Sequence, residues 1–449
     1  MTSRLFYQSR LPRPQLDRAE GIYMWDTSGK RYIDGSSGAM VSNIGHSNPA
    51  VLAAMRAQMD RSTFGYRLHF QTGPSEALAE RMTALTPDGL DRVFFVSGGS
   101  EAVESALKLA RQYALTQGQA QRSKVISRYP SYHGATLGAL AITGYAPMTA
   151  PFDPMMQTMP KIPAPRAYLD GLDPDDPATG LHYANMLEDK ILEEGPATVL
   201  AFIVEPIGGA STGALVPPTG YMARIREICD QYGVLLIHDE VMTGGGRTGR
   251  FFGAEHWDVT PDIIALSKGF GAGYVPLGAM IARADMVEAV LDSGGFIHGY
   301  TYAGNPLACT AGLAVLDEIA RQGLVENAGQ RGTALHTRLH ALMQRYPLIG
   351  DVRGKGLLQA FELMADRATK APLPARLNAY TRLVDIAYDN GLIIYARRTR
   401  GGISGDHFLV CPPMIVAEAQ LDEITDILDR SLGQLMREMP AAFETDIRS

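Results

Sequence analysis

The stretch LLIHDEVMTGGGRTGRFFGAEHWDVTPDIIALSKGFGAG, residues 235–273, decides the fold. Its apolar opening runs straight into Asp239 and Glu240, and a glycine-rich loop follows. A second apolar run then delivers a single lysine, Lys268, into another glycine cluster. Each apolar run has the length and composition of a buried strand. Asp239 and Lys268 therefore fall at strand C-terminal ends, the edge at which open parallel sheets bind ligands. Gly269 and Gly271 let the backbone approach a bulky group closely. A lysine amine desolvated at such a place loses its proton more readily than a free amine of pKa about 10.4, and it can then form a Schiff base with a carbonyl. The plain alternatives are a surface lysine in a tight turn and an Asp-Glu pair satisfied by backbone N–H groups.

Working outward, apolar runs at 93–96, 124–127, 199–204, 234–238, 263–267 and 277–282 predict strands, and the spacing predicts helices at 76–85 and 101–115. Strands alternating with helices predict a largely parallel sheet covered on both faces. Residues 21–40 predict a hairpin turning at Ser28-Gly29, and 50–61 a helix. The segment 151–181, rich in Pro, Asp and Gly, predicts a loop excursion. Helices at 306–321 and 332–345, then short strands within 354–363, 391–396 and 407–413, predict a smaller α/β domain. The expected fold class is α/β, with a large domain over 56–325 and a smaller one from 326–449, onto which residues 1–55 fold back.

Composition narrows the function. The 449 residues are 46% hydrophobic and 20% charged, which excludes a mainly disordered or coiled-coil chain. A net charge of -7 without a long basic run argues against a nucleic-acid partner. No apolar run approaches membrane-spanning length, and MTSRLFYQSRLPRP lacks a signal-peptide core. Cys229, Cys309 and Cys411 are widely spaced and read as buried thiols of a reducing compartment. A soluble cytoplasmic protein without a metal site is expected.

Further residues gather at the same predicted sheet edge. In VFFVSGGSEAVESALKLARQYA, residues 93–114, a strand turns through glycines into a helix whose unpaired N–H groups at Gly99 and Ser100 suit a phosphate; an ordinary serine cap is the alternative. The spacing is not GxGxxG, which excludes a nicotinamide dehydrogenase. Tyr132 and His133 follow the next strand, where a ring face can stack on an aromatic ligand or pack in the core. Glu205 follows VLAFIV as a ligand-edge carboxylate or a turn cap. Arg397, Arg398 and Arg400 offer forks for a substrate carboxylate, or a solvated basic turn.

The run HDEVMTGGGRTGRFFGAEHWDVTPDIIALSKGFGAGYVPLGAMI resembles the class III (omega) aminotransferases of the pyridoxal-phosphate (PLP) fold type I, and the resemblance extends from about Tyr23 to Pro413. In that family a strand-end aspartate precedes the Schiff-base lysine by about thirty residues, as Asp239 precedes Lys268 here. The resemblance implies that Lys268 is the Schiff-base lysine and proton carrier. It implies that Asp239 is the partner of the pyridine nitrogen and Val241 an apolar contact on the ring. Gly99 and Ser100 then hold the cofactor phosphate, Tyr132 stacks over the ring with His133 beneath, and Glu205 lies near the ring hydroxyl. Thr301 is implied to reach the phosphate of a second subunit, making the protein a homodimer with shared sites or a larger assembly. Arg250 reads as a structural closure of the loop.

On the substrate side the resemblance thins. RGGIS separates the arginines from Gly405-Asp406-His407, which leaves the carboxylate-binding arginine open. Met40, beside Ala39, stands where many amine transaminases carry tryptophan, implying a differently shaped amine pocket. The expected reaction moves an amino group from an amine or omega-amino acid to a keto acid such as pyruvate or 2-oxoglutarate. An epimerase or decarboxylating enzyme on the same fold is the alternative, and a non-catalytic PLP-binding subunit is a third reading that the intact Lys268, Asp239 and SGGSEA oppose.

Overall fold

The strands Val199–Val204 and Ile263–Leu266 are buried at every residue, the pattern of strands covered on both faces. In the computed structural model, which describes residues 4–8 and 13–439, they belong to a seven-stranded sheet. Its spatial order is Leu90–Val96, Gly278–Arg283, Ile263–Leu266, Leu235–Asp239, Val199–Val204, Lys124–Tyr129 and Lys161–Pro163. Gly278–Arg283 runs antiparallel to both neighbours, and the strands from Ile263–Leu266 onward pair in parallel. Residues 1–3 and 9–12 of the opening segment read for a signal peptide lie outside the described residues.

Helices cover both faces. Gly99–Thr116 buries Ala102, Val103, Ala106, Leu109, Ala110 and Ala114 in a cluster with Val125, Ala201, Ile203 and Ile237 of the sheet. Its mostly small residues at helical spacing let the helix axis lie close to the strands. On the other face Pro177–Glu194 and Tyr221–Tyr232 pack Leu187, Ile191, Ile225 and Ile228 against Phe202 and Leu236.

The smaller domain is built from both chain ends. Its antiparallel sheet runs Ile349–Lys355, Leu358–Asp366, Ser404–Val410 and Tyr395–Arg400. An N-terminal sheet of Leu16–Glu20, Tyr23–Asp26 and Arg31–Asp34 takes Leu392–Ile393 as a parallel fourth strand. Ile22, Ile33, Ile44 and Val51 share one core with Leu335, Phe361, Phe408 and Leu428. The predicted hairpin turns between Tyr23–Asp26 and Arg31–Asp34, with Ser28 donating to Asp26 at 2.8 Å.

Three expectations are corrected. The segment 151–181 is not a loop throughout: it contains the edge strand Lys161–Pro163, the turn Ala167–Asp170 and the start of Pro177–Glu194. That strand is too short for a periodic signal and ends on a proline. The helix expected over 332–345 spans Leu324–Arg345, because Leu324 and Ala328 already bury into the core. Arg250 is exposed, and the glycine loop is closed instead by Arg247, which is wholly buried. Arg247 donates to Asn43 and Ser37 of the N-terminal segment and to the carbonyls of Leu357, Cys411 and Pro412. All three cysteines are buried free thiols.

Candidate active site

Every parallel strand of the large sheet leaves its C-terminal end on one edge, and the motif residues follow those ends. Ser97 to Ser100 come after Leu90–Val96, Tyr132 and His133 after Lys124–Tyr129, Glu205 after Val199–Val204, and Lys268 after Ile263–Leu266. Asp239 closes its own strand. Together Met40, Gly99, Ser100, Tyr132, His133, Glu205, Asp239, Val241, Lys268 and Arg397 line one cavity between the two domains.

Asp239 is 5% exposed and held from two sides. The Val241 N–H reaches Oδ1 at 3.1 Å, and His133 Nδ1 lies 2.8 Å from Oδ2. With only one backbone donor, Asp239 departs from the turn-capping alternative. Its neighbour Glu240 fits it: the Gly253 and Ala254 N–H groups each donate to Glu240 at 2.9 Å, and Thr243 donates as well.

Lys268 faces the cavity from a backbone with φ +48°, a left-handed conformation that costs a non-glycine residue of order 1 kcal/mol or more. Burial lowers the pKa of its amine below the ordinary 10.5, and Asp239 and Glu205 pull the other way. Burial raises the pKa of the Glu205 carboxyl. Its Oε1 accepts from the Gly209 N–H at 2.8 Å, while Oε2 is buried without a hydrogen bond.

The start of Gly99–Thr116 has no side-chain cap. Glu101 turns back to accept from the Ser97 N–H at 2.7 Å, and Ser100 Oγ accepts from the Ala135 N–H at 3.0 Å. A Cβ on Gly99 would lie 2.8 Å from Val241 Cγ1, so only glycine lets the turn approach the valine this closely. Burial raises the pKa of the half-buried Tyr132 phenol, keeping it neutral.

The arginines separate by strand alternation. Tyr395 and Arg397 share the cavity face of Tyr395–Arg400, with the guanidinium 5.0 Å from the tyrosine ring centroid. Arg398 faces the other way, 3.0 Å from Asp406 across the strand pair, and Arg400 donates to the Lys370 carbonyl. Neither lines the cavity. The RGGIS residues form the turn of the hairpin joining Tyr395–Arg400 to Ser404–Val410. Thr301 is exposed and lies outside this chain's cavity.

Sequence reasoning missed Tyr145, Met148, Ser211, Met242 and Tyr395, which also line the cavity. Tyr395 was within reach, since it sits two residues from Arg397 on one strand face. Tyr145 and Met148 lie on short turns with no period to read.

The residues fit pyridoxal phosphate: an amine of lowered pKa, a fixed carboxylate for a pyridine nitrogen, an uncapped helix start for a phosphate, and the buried His133 Nε2 and Glu205 Oε2, which take no hydrogen bond. Among the described residues no group of three or more His, Cys, Asp and Glu side chains is placed to hold a metal ion, and no helix is long and apolar enough to cross a membrane.

The Aminotransferase class-III family model matches residues 8–432. An aminotransferase of Bacillus subtilis, YodT, is 36% identical over 95% of this chain and 96% of its own. The putrescine–pyruvate aminotransferase of Pseudomonas aeruginosa is 34% identical over 93% of this chain and 90% of its own. The structure is similar to the omega transaminase of Pseudomonas jessenii in complex with PMP, with a TM-score of 0.90 and 33% identity over 97% of each chain. The chain belongs to the class-III aminotransferases and is a fold type I transaminase whose cofactor is pyridoxal phosphate.

Proposed function

We propose that the protein transfers an amino group from an amine or omega-amino acid to a keto acid such as pyruvate or 2-oxoglutarate, and that it works as a homodimer. The observation that carries the reading is the meeting of Lys268, Asp239 and Arg397 in one cavity. A deprotonable amine, a fixed anion and an uncommitted guanidinium are what alternate binding of an amine and a keto acid needs.

Pyridoxal phosphate, when bound, takes up the electron pair released at the substrate carbon. Lys268 holds and moves the proton at that carbon through Nζ, since burial biases the amine toward its neutral form. Asp239, fixed by Val241 and His133, supplies the negative charge that keeps a pyridine nitrogen protonated. The Gly99 and Ser100 N–H groups and the helix dipole bind the phosphate. Arg397 binds the keto-acid carboxylate, and Met40, Met148 and Met242 shape the wall that receives the amine. The Pseudomonas aeruginosa relative, by its name, pairs putrescine with pyruvate, and a Halomonas elongata relative, 35% identical, pairs diaminobutyrate with 2-oxoglutarate, so each acceptor has a precedent.

Thr301 supports the dimer. It sits on a surface where Leu68, Phe70, Ile297 and Tyr302 are 65–85% exposed, an apolar patch of the kind a second subunit covers.

The test is an absorbance titration of the purified holoenzyme with candidate amines, followed by pyruvate or 2-oxoglutarate. A shift of the cofactor band by the amine that the keto acid reverses supports aminotransfer. Turnover with no need for a keto acid moves the assignment to an epimerase or a decarboxylating enzyme.

A further inference from the structure

Outside the lining of the cavity, the long helix Leu324–Arg345 carries His336 and His340 one turn apart. Positions i and i+4 share a helix face, and here the two Nε2 atoms are 3.0 Å apart. The rings splay, with centroids 4.5 Å apart and planes at 63°, so they approach through their Nε2 edges and not face to face. Both residues are half-buried, which leaves the outer side of the pair open to water.

The protonation of His336 is fixed from behind. Gln359, 2% exposed on the strand Leu358–Asp366, donates its amide N–H to the Gly356 carbonyl at 2.8 Å. That bond orients the amide and turns Oε1 toward His336 Nδ1, 2.9 Å away. Nδ1 therefore carries the proton and donates it, and Nε2 keeps its lone pair. A buried acceptor behind the distal ring nitrogen is the support that metal-binding imidazoles use. At His340, burial and the neighbouring His336 both lower the pKa, which favours the neutral ring. The 3.0 Å contact is then a hydrogen bond from the His340 Nε2–H to His336 Nε2, and a metal ion takes the place of that proton once the His340 ring carries its proton on Nδ1 instead.

We propose that His336 and His340 form a two-nitrogen chelate for a divalent transition metal, with copper preferred over zinc and water filling the remaining positions. The preference follows from geometry. With metal–nitrogen bonds of roughly 2.0–2.1 Å, nitrogens 3.0 Å apart subtend an angle of about 94° at the ion. That is a cis angle of a square or tetragonal site, which suits copper(II) or nickel(II), and it is tighter than the tetrahedral angle zinc prefers. Copper(II) also heads the order of affinities for nitrogen ligands. The site lies outside the active cavity, so binding there is separable from turnover.

The test uses the full-length holoenzyme, stripped with chelating resin and titrated with CuCl2, and then with ZnCl2, by calorimetry and copper electron paramagnetic resonance. The expected result is one tight copper per chain with hyperfine structure from two nitrogens, weakened at least about tenfold in His336→Asn and in His340→Asn, with transaminase turnover unchanged in both. Copper binding that survives both substitutions at full affinity, no copper binding by the wild-type chain, or tighter binding of zinc than of copper overturns the proposal.

Discussion

His133 Nδ1 lies 2.8 Å from Asp239 Oδ2, and the Val241 N–H holds the other carboxylate oxygen. The two bonds fix the orientation of the aspartate in the lining of the cavity. Asp239→Asn keeps the shape and removes the charge, so the fold persists while kcat falls about 10²–10³-fold, the usual effect of losing one preorganised electrostatic contact. His133→Phe removes only a support and lowers kcat by about tenfold. Steady-state kinetics of both variants at saturating cofactor check the order; equal losses contradict it.

Arg397 and Arg398 are neighbours in sequence and face opposite sides of their strand, one to the cavity and one to Asp406. Arg397→Ala raises KM for the keto acid about 10–100-fold through loss of a charge-assisted hydrogen bond, with KM for an uncharged amine unchanged. Arg398→Ala leaves both KM values alone and destabilises the fold by about 3–5 kcal/mol, because it strands the buried Asp406. Kinetics and urea unfolding of the two variants separate these outcomes.

How far the sequence carries is visible in these two residues. The motifs at the sheet edge were readable because each strand end, turn and helix start is local, and parallel topology then brings the ends together without further information. The arginine choice was not readable, since it depends on the phase of Tyr395–Arg400 against Ser404–Val410, fixed by pairing across a hairpin. Arg247 escaped notice for a similar reason: its partners lie as far away as residues 37, 43, 357, 411 and 412. The apolar alternation of the chain ends predicted a smaller domain, but the pairing of Leu392–Ile393 with Arg31–Asp34 is a contact over some three hundred and fifty residues that no local pattern encodes.

Stability falls on the acid side for a specific reason. Burial lowers the pKa of His238 and of His407 from 6.5 to about 3. In the unfolded chain both take up protons near pH 6.5, while in the folded chain they stay neutral until about pH 3. The unfolded state thus binds more protons across that window, and folding stability is fully present above pH 6.5 and declines as the pH drops toward 3. Urea midpoints measured from pH 8 to pH 4 are expected to fall below pH 6.5, and His238→Asn is expected to flatten part of that slope.

In the proposed function Lys268 carries the chemistry, and the decisive test is single-turnover transamination by purified Lys268→Ala supplied with pyridoxal phosphate. The predicted result is a folded protein with the wild-type unfolding free energy to within about 1 kcal/mol, an altered cofactor spectrum and no turnover above about one part in 10³ of the wild-type rate. Wild-type turnover in that variant contradicts the role of Lys268.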